Sequence, residues 1–130
     1  MSKKKYIKPT DSELEVLQIL WQKEPCTVRL VNDILNQKKV VGYTTTLKIM
    51  QIMAEKGLVE RDTSSRTHLY TANVSETNTQ KGLLQQFLTS TFRGSAMKLV
   101  LQALGDNDTS KEELEEIKAL IEQKEKSPKS

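Results

Sequence analysis

Apolar positions in the first half of the chain recur at helical spacing, then switch once to strict alternation. Over 10–22, Leu14, Leu17, Leu20 and Trp21 fall at steps of three and four, the stripe of an amphipathic helix. Thr10-Asp11-Ser12-Glu13 in front of it is a capping box, in which a threonine and a glutamate satisfy each other's orphan amides. Pro25 closes that helix and Cys26 falls in a short extended piece. Thr27 caps a second helix with Val28, Val31, Ile34 and Leu35 on its buried face. A third helix follows Gly42-Tyr43, with Thr44 as its expected N-cap. Leu47, Met50, Met53 and Ala54 form its inner side; Thr45, Thr46, Lys48, Gln51 and Glu55 form its outer side. Gly57 stops it. The spacing then predicts a strand over 58–62, a polar turn at 63–66 and a returning strand over 67–71, where Thr67, Leu69 and Thr71 alternate with His68 and Tyr70.

From Ser75 the pattern is helical again. Leu83, Leu84, Phe87, Leu88 and Phe92 make one stripe. Met97, Val100, Leu101 and Leu104 make a second, and Leu114, Ile117, Leu120 and Ile121 a third. Breaks fall at 93–95 and 105–108, and Thr109 or Ser110 caps the last helix. About fifty residues in three striped helices enclose little of their own apolar surface, whereas two copies packed together can. The expected dimer contacts are Leu84, Phe87, Leu88, Phe92, Val100, Leu104, Leu114, Ile117, Leu120 and Ile121; the competing arrangement is a tail folded back on its own first half. The fold class is therefore mainly α with a small β-hairpin: a winged helix-turn-helix over 1–73, a three-helix dimerisation domain over 74–126 and a disordered tail over 127–130.

At 130 residues the chain has room for one compact core and an appendage. With 36% hydrophobic and 28% charged residues, it composes like a folded helical protein. The net charge of +3 is unevenly spread: residues 1–72 carry +4 and residues 73–130 carry −1. The basic half is the half with the helix-and-wing pattern, where a polyanion is expected to dock. One cysteine and one histidine exclude an intrachain disulfide and a conventional zinc set, so His68 reads as a surface or hairpin-packing residue and no metal or cofactor is expected. No apolar run approaches a membrane span, and the basic residues 1–5 lead into no apolar segment of a secretory signal, so a cytoplasmic location is expected.

A helix of about 20 Å fits a major groove about 12 Å wide, and a hairpin behind it reaches the flanking backbone. Thr45, Thr46, Lys48 and Gln51 are the candidates for base edges, because glutamine pairs with adenine, threonine bonds a base or touches a thymine methyl, and lysine contacts guanine or phosphate. Tyr43, Thr44, Lys56 and Arg66 are the candidates for backbone or wing contacts. The expected partner is double-stranded DNA. The rival reading is a winged-helix protein-interaction module without specific DNA binding. Enzymatic chemistry has little to work with here: no glycine-rich phosphate loop, no metal set, and one histidine far in sequence from one cysteine.

The run Pro9-Thr10-Asp11-Ser12-Glu13-Leu14-Glu15-Val16-Leu17, with Leu20-Trp21, Thr27-Val28, Tyr43-Thr44-Thr45, Glu55-Lys56-Gly57-Leu58, Tyr70 and Ser110-Lys111-Glu112-Glu113-Leu114-Glu115-Glu116-Ile117, resembles the penicillinase and methicillin-resistance repressors, the BlaI/MecI/CopY type of winged-helix regulators. The resemblance implies a homodimeric repressor on a palindromic operator, often of a resistance gene. It also implies release when a membrane-bound sensor metalloprotease detects a β-lactam and the carboxy-terminal domain is cut. Gly94-Ser95-Ala96-Met97 stands where the best-known members carry an Asn-Phe bond, and the cysteine-rich tail of the copper-responsive branch is absent.

Overall fold

The computed structural model describes residues 6–127. The expectations for residues 1–5 and for 128–130 lie outside the described residues. Eight elements follow in order: α1 (Asp11–Lys23), α2 (Val28–Leu35), α3 (Tyr43–Lys56), β1 (Val59–Asp62), β2 (Leu69–Ala72), α4 (Glu76–Phe92), α5 (Ala96–Asp106) and α6 (Lys111–Lys126). The chain divides into two compact units, one ending at Gln85 and the other starting at Gln86, so the division falls inside α4.

The first unit owes its shape to well-marked helix ends around one core. Thr10 and Glu13 close the capping box of α1, each side chain accepting the other's amide at 3.2 and 2.9 Å. Thr27 accepts the Leu30 amide and starts α2. The N-cap of α3 is Gly42 and not Thr44, and Gly42 makes no side-chain cap; Thr44 lies inside the first turn. At the other end Gly57 adopts φ 91°, its amide donates to Ala54 and the Leu58 amide donates to Met53. That Schellman closure needs a left-handed residue, which glycine supplies without steric cost.

β1 and β2 pair antiparallel in the register Val59 to Ala72 and Asp62 to Leu69. Cys26 adds a bridge to Tyr70, with both amide-to-carbonyl bonds formed at 3.0 and 2.8 Å, so the piece after Pro25 serves as a third strand of one residue. Val16, Leu17, Leu20, Val31, Met50, Met53, Leu58 and Tyr70 are buried at the centre. The hairpin lies where the sequence predicts one, but its returning strand starts at Leu69 and not at Thr67, so the connection runs over 63–68; Tyr70 is the inward residue of β2 and Leu69 is half-buried. On α1 the innermost residues are Glu13, Val16, Leu17 and Leu20; Leu14 and Trp21 are half-buried, and the Trp21 indole donates to the Val74 carbonyl at 2.9 Å.

In the second unit α5 is capped by Ser95 and α6 by Ser110, the latter in a capping box with Glu113. Among the described residues, no side chain from Gln86 onward is buried. Leu84, Phe87, Val100, Leu104, Leu114, Leu120 and Ile121 are exposed, while Leu88, Phe92 and Ile117 are half-buried. Phe87 and Phe92 meet edge to face with centroids 5.5 Å apart.

Candidate nucleic-acid interface

α3 presents one polar face. Thr44, Thr45, Lys48, Gln51 and Glu55 are exposed, and Met50 and Met53 hold the opposite side in the core. With 14 residues the helix is about 21 Å long, enough to lie along a major groove. Gly42 donates no side-chain cap to its first turn, so the first amides of α3 are not consumed by a capping side chain.

Thr46 is corrected: it does not belong to the groove-facing set. It is fully buried, and its hydroxyl accepts a bond from Asn32 Nδ2 at 2.8 Å. The same Asn32 amide donates to the Val41 carbonyl at 3.1 Å. Asn36 takes the rest of Val41, its Nδ2 donating to the carbonyl at 2.8 Å and its Oδ1 accepting the amide at 3.1 Å. Two asparagines of α2 and its C-terminal end thus clamp the turn that delivers α3. The sequence carried a usable signal for this: helical stepping from Thr46 to Met50 and Met53 puts the threonine on the apolar side, but its polarity argued for the outer one.

Lys56 is exposed and is also engaged within the fold. Its ammonium lies 2.9 Å from both Glu13 carboxylate oxygens, joining the end of α3 to the start of α1. Burial pushes the Glu13 pKa upward, but the bonds from Lys56 and from the Thr10 amide outweigh it and the carboxyl is held below its ordinary value. The pair ties the end of α3 to the start of α1, while the lysine side chain stays 36% exposed.

Arg66 lies in the turn between β1 and β2, and it helps to line a groove of about 320 Å³ together with Thr27, Arg29, Tyr43 and His68. Arg29 was not singled out from the sequence. Its guanidinium stacks 4.9 Å from the centroid of the Tyr43 ring, which fixes a cation at the mouth of this groove. The wing turn itself is tied locally: the Ser64 amide donates to Asp62 at 2.9 Å, and the Ser65 hydroxyl donates to the Thr67 carbonyl at 2.9 Å. The Ser64 bonds hold the Asp62 carboxyl below its usual range, with His68 adding a smaller pull.

Cys26 is buried with its thiol on the Lys23 carbonyl, and burial pushes its pKa up, away from the reactive thiolate. Among the described residues no group of His, Cys, Asp and Glu is placed to hold a metal, and no helix is long and apolar enough to cross a membrane.

The family model described as Penicillinase repressor matches residues 9–123. The chain belongs to the penicillinase repressor family. Within it, the methicillin resistance regulatory protein MecI of Staphylococcus aureus (strain N315) is 23% identical over 115 residues, covering 88% of this chain and 94% of that one. The penicillinase repressor of Bacillus licheniformis is 24% identical over 120 residues, 92% of this chain and 94% of its own. Similarity to the transcriptional regulator BlaI of Mycobacterium tuberculosis (strain ATCC 25618 / H37Rv) is more local and higher, 38% over 61 residues, covering 46% of this chain and 44% of that one. Among solved structures, the DNA-binding domain of the repressor BlaI superposes with a TM-score of 0.51 at 24% identity, covering 58% of this chain and 93% of that domain. That likeness confirms the fold of helix, helix, helix and hairpin. Membership in this family places the chain among transcriptional repressors and not among enzymes.

Proposed function

We propose that this member of the penicillinase repressor family acts as a homodimer on a palindromic operator. α3 enters the major groove, and Arg66 and Arg29 hold the flanking phosphates. The observation that carries the reading is the joint placement of an exposed Thr44-Thr45-Lys48-Gln51 face and the Arg29–Tyr43–Arg66 groove on one unit of the chain. Base edges supply discrimination and phosphates supply sequence-independent attraction.

The second unit supports the dimeric part. From Gln86 onward no described residue is buried, and Val100, Leu104, Leu120 and Ile121 are open to solvent, apolar surface that a second copy would cover. Linking two reading heads turns the second half-site contact into an intramolecular event. Cutting or loosening the second unit therefore weakens operator binding without touching α3. In this reading the exposed turn around Gly94 and Ser95 is the place for such a cut, and the genes controlled are those of β-lactam resistance or a related operon, with a membrane sensor metalloprotease as the partner that cuts.

The test pairs sedimentation with footprinting on DNA upstream of the chain's own gene. The expected result is a dimer protecting two half-sites whose centres lie one helical turn, about 10 base pairs, or a multiple of it apart. Protection by a monomer, or no protected sequence at low salt, would overturn the proposal.

A further inference from the structure

Ile52 interrupts the polar face of α3. It is 38% exposed, although its neighbours on that face are Thr45, Lys48, Gln51 and Glu55. At about 100° per residue, Ile52 falls about 20° from Thr45 and about 40° from Lys48, so the three lie in one stripe along the helix. Seven residues of rise separate Thr45 from Ile52, about 10 Å, which is about three base-pair steps.

A single exposed aliphatic residue on a protein surface ordinarily needs no explanation. This one lies within the face assigned to the major groove, where each thymine projects one apolar group, its C5 methyl. Isoleucine is also suited to such a contact by its stiffness. Branched at Cβ, it holds one χ1 rotamer in a helix, so placing its methyl groups against a base costs little side-chain entropy. A lysine or glutamine at the same site would have to be ordered on binding.

We propose that Ile52 is a specificity-determining residue that reads a thymine methyl in each half-site, about three base pairs from the position read by Thr45. The inference rests on the operator-binding reading above. It predicts that one thymine of the half-site is recognised without a hydrogen bond, by burial of its methyl against the isoleucine.

The experiment uses the full-length protein and duplexes selected by it from a randomised pool. Each thymine of one half-site is replaced in turn by deoxyuridine, which keeps base pairing and removes only the methyl. Losing one buried methyl should weaken binding by about four-fold at one position. Ile52→Ala should bind the uracil and thymine duplexes equally, at the affinity the parent shows for the uracil one, and Ile52→Val should retain most of the sensitivity. Because Ile52 is outside the core, the melting temperature of Ile52→Ala should match the parent's, which separates a lost contact from a lost fold. The proposal is overturned if no thymine responds to uracil, or if Ile52→Ala keeps the parent's response. Failure of the parent to select any sequence would remove the operator-binding reading as well, a result distinct from both.

Discussion

Replacing Thr46 by valine separates a buried clamp from a base contact. Valine keeps the branched shape and nearly the volume of threonine, so the cavity and strain contributions are small. What disappears is the acceptor for Asn32 Nδ2, which sits 2.8 Å away with Asn32 itself 6% exposed. One Asn32 N–H keeps the Val41 carbonyl; the other is left in the core without a partner. An unsatisfied buried donor costs about 1–3 kcal/mol, and the gain of a methyl in apolar surroundings offsets part of it, leaving about 1–2 kcal/mol. For a folding unit of this size that corresponds to a fall in Tm of roughly 5–15 °C. Trp21 belongs to the same unit and its indole donates to Val74, so its fluorescence reports the unfolding of that unit. Well below the lowered Tm, Thr46→Val should change preference at no single base pair selectively, because the groove-facing atoms are unchanged. A variant with the parent's Tm and an altered preference at one base pair would refute the reasoning, and would return Thr46 to the groove.

Arg66→Ala and Arg29→Ala should each weaken binding to all sequences and reduce the slope of log K against log salt by about one, since each phosphate contact contributes about 0.9; titrations at four salt concentrations check this, and an unchanged slope removes that arginine from the phosphate contacts. Gln51→Ala should relax preference at one base pair by about 1–3 kcal/mol, measured on a panel of single-base operator variants. Lys56→Ala should destabilise the first unit by about 1–2 kcal/mol, less than for a fully buried pair because the lysine is partly exposed, with the loss read from chemical denaturation. The Glu13 carboxyl is held below its ordinary value in the folded chain, so its stabilisation is fully present above the ordinary carboxylate range. That stabilisation fades as pH falls through the lowered folded-state pKa; stability against pH should be flatter there for Glu13→Gln than for the parent.

The fold was legible because its signals are local. Capping residues at Thr10, Thr27 and Ser110, the stop at Gly57 and the change of period near Leu58 each act within a few residues, and each stands where the spacing puts it. The interface was legible only in part. Thr46 was misread because its polarity argued for solvent, whereas Asn32, distant in sequence, satisfies it inside. The step from Thr46 to Met50 and Met53 recorded the burial, but the identity of the partner depends on how helices cross. The start of α3 failed differently. Three threonines after Gly42-Tyr43 offered several caps, and the structure uses Gly42 without a side-chain bond. Arg29 escaped notice because it acts through Tyr43, fourteen positions away, and stands on a helix read only as a brace.

The placement of α3 rests on more than apolar packing. Its outward residues can be exchanged without disturbing the fold, since none of Thr45, Lys48 or Gln51 is buried. Its orientation instead depends on inward polar ties: Asn32 to Thr46 near the start, Asn36 and Asn32 to Val41 in the preceding turn, and Lys56 to Glu13 at the end. Apolar packing around Met50 and Met53 holds the helix in place but tolerates small rotations, because dispersion contacts are many and weakly directional. Directional bonds at both ends restrict rotation about the helix axis, which is the motion that would turn Lys48 and Gln51 away from the bases they are proposed to read. The outward residues can therefore vary while this frame stays intact. A variant that breaks the frame should blur discrimination at every position at once, where loss of Gln51 blurs one.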